Sequence, residues 1–93
     1  MPHFCTEKQI TNALKTLGAL EKMAMPVTID RYSSYEEAMD DINDNGRPAQ
    51  VVTGEIEQGA EWCWVVYGHG ILVVSTLLYR ALELLRDTLN NNI

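Results

Sequence analysis

The apolar residues of this chain change their spacing several times within 93 residues, from every third or fourth position to every second and back. A chain with that pattern must mix helices and strands, because each period buries one face of only one kind of element. Thr6-Glu7-Lys8-Gln9 has the form of a capping box, with Thr6 as N-cap and Gln9 at the third helical position. Behind it Ile10, Ala13, Leu14, Leu17 and Leu20 mark one face of a first helix. Gly18 either closes that helix or sits inside it at a cost of about 1 kcal/mol. Pro26 ends any extension, since it pushes Met25 out of the helical region. Val27 to Tyr32 alternates and is rich in β-branched residues, which predicts a short strand. Ser33 and Ser34 then offer N-caps, with Glu36 and Glu37 three residues on from each. Tyr35, Ala38, Met39 and Ile42 line one face of a second helix, which Asn45-Gly46 closes as a left-handed cap ahead of Pro48.

Gln50 to Glu57 and Glu61 to Tyr67 read as two strands joined in a β-hairpin by Gln58-Gly59-Ala60. After the break at Gly68-His69-Gly70, Ile71 to Val74 fits a further strand followed by a helix capped at Ser75. It also fits the first turn of one long helix beginning near Gly70. Leu77, Leu78, Ala81, Leu82, Leu85 and Leu89 form a helical stripe that extends back onto Val74 and Ile71, which favours the long helix. The order α-β-α-β-β-α predicts an α+β fold, with a small antiparallel sheet of two to three strands and about three helices packed on one face. The expected organisation is one domain over residues 1–93.

Charge is distributed far less evenly than hydrophobicity. Nine of the thirteen acidic residues lie between Asp30 and Glu61, where only Arg31 and Arg47 oppose them, so that segment carries −7 and the rest of the chain +1. Glu36, Glu37, Asp40, Asp41 and Asp44 sit opposite the apolar face of the second helix, and three pairs among them are i,i+4 neighbours. Such pairs destabilise a helix by a few tenths of a kcal/mol each. Asp41 and Asp44 also oppose the negative C-terminal end of the helix dipole. Local stability does not select this arrangement, so these five residues are candidates for docking a basic partner, with Glu55 and Glu57 as contributors. The overall charge of −6 and the scattered basic residues argue against nucleic acid as a direct ligand. They argue equally against an anionic membrane surface. Two cysteines and an N-terminus without a signal-like segment lead to the expectation of reduced thiols in a cytoplasmic protein.

Other constellations are weaker. Asp41-Ile42-Asn43-Asp44-Asn45-Gly46 matches the opening of an EF-hand loop, but the twelfth position, which needs a bidentate Glu, is Val52. Cys63 and His69 meet as a nucleophile and base only if the intervening strand folds back. Gly68-His69-Gly70 ahead of a helix could form an anion nest. No complete catalytic, metal or cofactor motif is present, so neither enzymatic activity nor a cofactor is expected. If one long helix covers the C-terminal third, Leu72, Val73 and Leu84 fall off its main stripe and leave a second apolar strip suited to a homodimer interface.

These features lead to the expectation of a small acidic, non-enzymatic protein-binding module. In size, charge and lack of catalytic residues it resembles the anti-CRISPR and anti-restriction inhibitors made by phages and mobile elements, which implies a larger partner with a basic surface. That resemblance is one of kind and rests on no shared motif. One alternative is a dimeric small-ligand or nucleotide binder using Trp62, Trp64, Tyr67 and the Gly68–Gly70 turn. Another is an adaptor or assembly subunit.

Overall fold

The computed structural model describes residues 6–45 and 50–91 of the chain. Seven elements follow one another: α1 (Glu7–Lys22), β1 (Thr28–Tyr32), α2 (Tyr35–Asn45), β2 (Gln50–Thr53), β3 (Cys63–Gly68), β4 (Ile71–Ser75) and α3 (Leu78–Asn91). The fold is α+β, with three helices and a four-stranded mixed sheet in the order β1-β3-β4-β2. β1 and β3 pair antiparallel, as do β3 and β4, while β2 runs parallel to β4 on the far edge.

The capping box forms as its residues require. Thr6 Oγ1 accepts from the Gln9 amide at 3.2 Å, and Gln9 Oε1 accepts from the Thr6 amide at 2.9 Å. Gly18 lies inside α1, which runs four residues past it. The left-handed position that stops the helix is taken by Ala24, at φ 56°. The Met25 amide reaches back to the Leu20 carbonyl at 3.2 Å, and Met25 is buried. In α2 the Ser34 hydroxyl accepts from the Glu37 amide at 3.1 Å. The expected left-handed cap at Gly46 and the following Pro48 lie outside the described residues, as do His3 and Cys5.

Four expectations are overturned. The hairpin between residues 50–57 and 61–67 does not exist: β2 stops at Thr53 and pairs with β4, not β3. Residues 54–57 instead pass beside the start of α3. There the Glu55 carbonyl accepts from the Ser75 hydroxyl at 3.0 Å, the Thr76 hydroxyl at 3.1 Å and the Thr76 amide at 2.9 Å. The long C-terminal helix is also absent, because Ile71–Ser75 is a strand and α3 begins at Leu78. The true hairpin joins β3 to β4 through His69 and Gly70, with φ values of 50° and 77°. Two positive φ values are what a two-residue turn needs to match the twist of its strands.

Nor do the helices share one face. Val66 and Val73 point towards α1 and α3, where they pack with Ala13, Leu20, Ala81, Leu82 and Leu85. Cys63, Val65, Leu72 and Val74 point the other way, under Ala38 of α2. Both faces of β3 and β4 are therefore covered, and all of β4 is buried. Full burial of each Leu or Val contributes about 1.5–3 kcal/mol, so this central pair of strands anchors the molecule. Leu72 and Val73 are wholly enclosed, and the half-buried Leu84 packs on the core. The second apolar strip expected of these three residues is not on the surface.

Candidate functional site

α2 is held to the sheet by a small apolar stripe and presents carboxylates on the remainder of its surface. Ala38 is fully buried, and Tyr35, Met39 and Ile42 are partly buried around it. Helical spacing then turns Glu36, Glu37, Asp40 and Asp44 outward, and all four are exposed. Among the described residues, no Lys or Arg forms an ion pair with any of them.

The structure divides the seven expected docking residues. Asp41 is half-buried and accepts a hydrogen bond from the Tyr32 hydroxyl, which ties α2 to β1. Glu37 also accepts from the Ser33 hydroxyl, yet its side chain stays exposed. Glu55 is directed towards α3, 3.9 Å from Arg80, and is not part of the α2 surface. Glu57 does join it. A groove of about 340 Å³ runs between the start of α2 and the segment after β2, lined among others by Tyr35, Glu36, Ile56, Glu57 and Trp62. Glu61, Glu37 and Trp62 border a second groove on the β1 side, with Arg31 and Tyr32. The aromatic walls were not foreseen as part of the surface, because residues 50–57 and 61–67 were read as the two strands of a hairpin.

The other candidate chemistries are not assembled. Asp41 stands inside α2 and not at the head of a loop, which removes the EF-hand register. Among the described residues no group of three or more His, Cys, Asp or Glu is placed to hold a metal ion. Cys63 and His69 occupy opposite ends of β3. The Cys63 thiol is enclosed, its Sγ lies 3.8 Å from the Ser75 carbonyl, and burial pushes its pKa up. A raised pKa suppresses the thiolate that nucleophilic chemistry requires. The Gly68–Gly70 turn leads into β4, so no helix dipole stands behind it. By strand alternation Trp64 faces α3 while Tyr67 faces α2, so the aromatic platform expected of a ligand binder is split across the sheet.

No protein-family model, curated protein or solved structure matches the chain. Among the described residues, no helix is long and apolar enough to cross a membrane.

Proposed function

We propose that the chain is a non-enzymatic protein-binding module that docks the outward face of α2, with Glu57 and Glu61 beside it, on a basic surface of a larger protein. The observation that carries this reading is the exposed row Glu36, Glu37, Asp40 and Asp44, with which no Lys or Arg among the described residues forms an ion pair. Like charges at this spacing repel, and a cationic counterpart relieves that repulsion.

The density of charge narrows the partner class. At about 1.5 Å of rise per residue, Glu36 to Asp44 covers about 12 Å of helix and carries four charges. That is close to the density of one nucleic-acid strand, about one charge per 3.4 Å. A surface built to track phosphates would accept this row in their place. The partner proposed is accordingly a nucleic-acid-handling protein, such as a component of a host defence system, with the chain acting as its inhibitor.

The test is capture of basic partners on the immobilised full chain, beside a variant carrying Glu36→Gln, Glu37→Gln, Asp40→Asn and Asp44→Asn. The bound protein should elute steeply as salt rises, should be displaced by single-stranded nucleic acid, and should be missing from the variant. Equal retention on the neutralised variant, with its fold intact by circular dichroism, would refute the reading.

A further inference from the structure

Trp62 borders two grooves, and both have carboxylates at their edges. The groove on the β1 side, with Glu37 and Glu61, has Arg31 among its lining residues. The groove beside the start of α2 is walled by Trp62, Tyr35 and Ile56 and carries Glu36 and Glu57, but none of its lining residues is Lys or Arg. Arg80, at the start of α3, is directed elsewhere, 3.9 Å from Glu55 and 3.6 Å from Glu83. The three lysines all belong to α1, across the sheet from α2. The walls are held from within the molecule. The strap after β2, residues 54–62, turns back at Gly59, φ 85°, where the Ala60 amide donates to the Glu57 carbonyl at 3.2 Å. The Thr76 hydroxyl accepts from the Glu57 amide at 3.0 Å, and Tyr35 is packed on the cluster around Ala38. The groove is anionic on balance. Glu36 and Glu57 bring two full negative charges, against roughly half a positive one from the α2 dipole.

We infer that this groove seats an arginine side chain of the partner, its guanidinium against Trp62 and forked towards Glu36 and Glu57. The inference rests on the basic partner proposed above and names the residue which that partner presents at the N-terminal end of the acidic row. The chemistry of the walls selects arginine. The face of an indole attracts a cation through its quadrupole. A planar guanidinium can lie on that face while its edge donates to carboxylates, whereas the lysine ammonium is a compact, strongly hydrated point charge. Ile56, 38% exposed, offers an apolar surface to the aliphatic stem. At about 340 Å³ the groove is at the small end of the range for ligand sites, which suits one side chain better than a cofactor. The neighbouring groove shows the same combination completed within the chain: Trp62, two carboxylates and Arg31. The groove at α2 has the aromatic wall and the carboxylates, and its cation must come from outside.

NMR titration of the full chain in a Trp64→Phe background tests this, because Trp62 then supplies the single indole N–H signal. The buried Nε1 of Trp64 has no hydrogen-bond partner, so phenylalanine there removes no hydrogen bond. The probes are end-blocked Gly-Arg-Gly, Gly-Lys-Gly and Gly-citrulline-Gly peptides. The arginine peptide should shift the Trp62 indole and the Gly59 and Ala60 amides saturably. The lysine peptide should bind at least about threefold more weakly, and the neutral citrulline peptide at least about tenfold. Trp62→Leu, followed at the Gly59 and Ala60 amides, should weaken arginine binding about fivefold. Glu36→Gln/Glu57→Gln, which alters exposed side chains only, should weaken it at least as much. Lysine binding as tight as arginine overturns the inference in favour of a plain anionic surface, and equal citrulline binding does so in favour of a neutral planar ligand. The absence of a saturable shift, or an unaffected Glu36→Gln/Glu57→Gln, overturns it outright. Trp62→Leu leaves every carboxylate of the α2 row in place, which separates the two readings. A basic partner retained by that variant to the same salt concentration as by the native chain overturns the arginine site and leaves the proposed function standing. Arginine-peptide binding as expected, with no salt-sensitive partner retained, supports the site and refutes the proposed function.

Discussion

Gly18 and Ala24 each occupy a position that suits the other. Gly18 is in the interior of α1, where it loses more backbone entropy than alanine would and has open space where a Cβ would stand. Ala24 carries the left-handed turn after the helix at φ 56°, a conformation that crowds a Cβ and that glycine adopts freely. Gly18→Ala and Ala24→Gly should therefore each raise the unfolding free energy by about 1 kcal/mol, read as a higher urea midpoint at unchanged slope. The two sites share no side-chain partner, so the gains should add. If Gly18→Ala destabilised the chain, the space beside that residue would have to be filled from within the molecule. The sequence left Gly18 open between a C-cap and an interior position because it shows only a residue able to end a helix, while the actual end is set by Pro26 and by the burial of Met25 three residues past Lys22.

At the scale of elements, what could be read in advance were features written within a few residues of each other. The Thr6–Gln9 box, the Ser34 cap and the Tyr35/Ala38/Met39/Ile42 stripe are local, and they delimit the start of α1 and α2 closely. β2 is different. Its partner β4 lies 21 residues away, as in Gln50 with Ile71, and alternation along a strand states which face is buried but not which neighbour completes the ladder. The sequence leaned towards helix over β4, with strand as the competing reading, for a related reason. Covered by helices on both sides, it is apolar at successive positions, and a short continuous apolar run has no period to distinguish strand from helix. The docking surface divides along the same line. Exposure of Glu36, Glu37, Asp40 and Asp44 follows from helical spacing, whereas the diversion of Asp41 to Tyr32 and of Glu55 to Arg80 depends on elements brought together by the fold. Ile10 and Leu14 looked like core, yet α1 packs beside α3 through Ala13, Thr16 and Leu20. The strap after β2 can be tested directly. Thr76 is buried and its hydroxyl accepts from the Glu57 amide at 3.0 Å while donating to the Glu55 carbonyl at 3.1 Å. Thr76→Val keeps the shape and takes this acceptor from the Glu57 amide, while the Glu55 carbonyl keeps the Ser75 hydroxyl and the Thr76 amide. It should lower stability by about 1–3 kcal/mol and speed hydrogen exchange at the Glu57 amide ahead of the β4 amides.

Over the whole molecule, the two layers of core meet at the sheet, and Cys63 reports on their integrity. Its thiol is enclosed between β3 and α2, in the cluster of Ala38, Val65, Leu72 and Val74. Desolvation raises its pKa in the fold, so the unfolded chain gives up that proton at a lower pH than the native one. Below the ordinary thiol range both states hold the proton and pH has no effect through this group. As pH climbs through that range, the unfolded state binds fewer protons than the native state, and stability falls until the raised native value is passed. In a Cys5→Ser background, the unfolding free energy measured from neutral to alkaline pH should decline across this window. Cys63→Ala should remove the part of the decline owed to the thiol, at the expense of a small cavity. Alkylation supplies the matching kinetic reading: a thiol reached only when α2 leaves the sheet should react at a rate set by opening of that layer, and urea should accelerate it. Reaction at the rate of a free thiol in the absence of denaturant would mean that α2 lifts from β3 on its own. The acidic helix would then be a mobile element, and the carboxylate row it carries would have no fixed spacing with which to imitate a phosphate track.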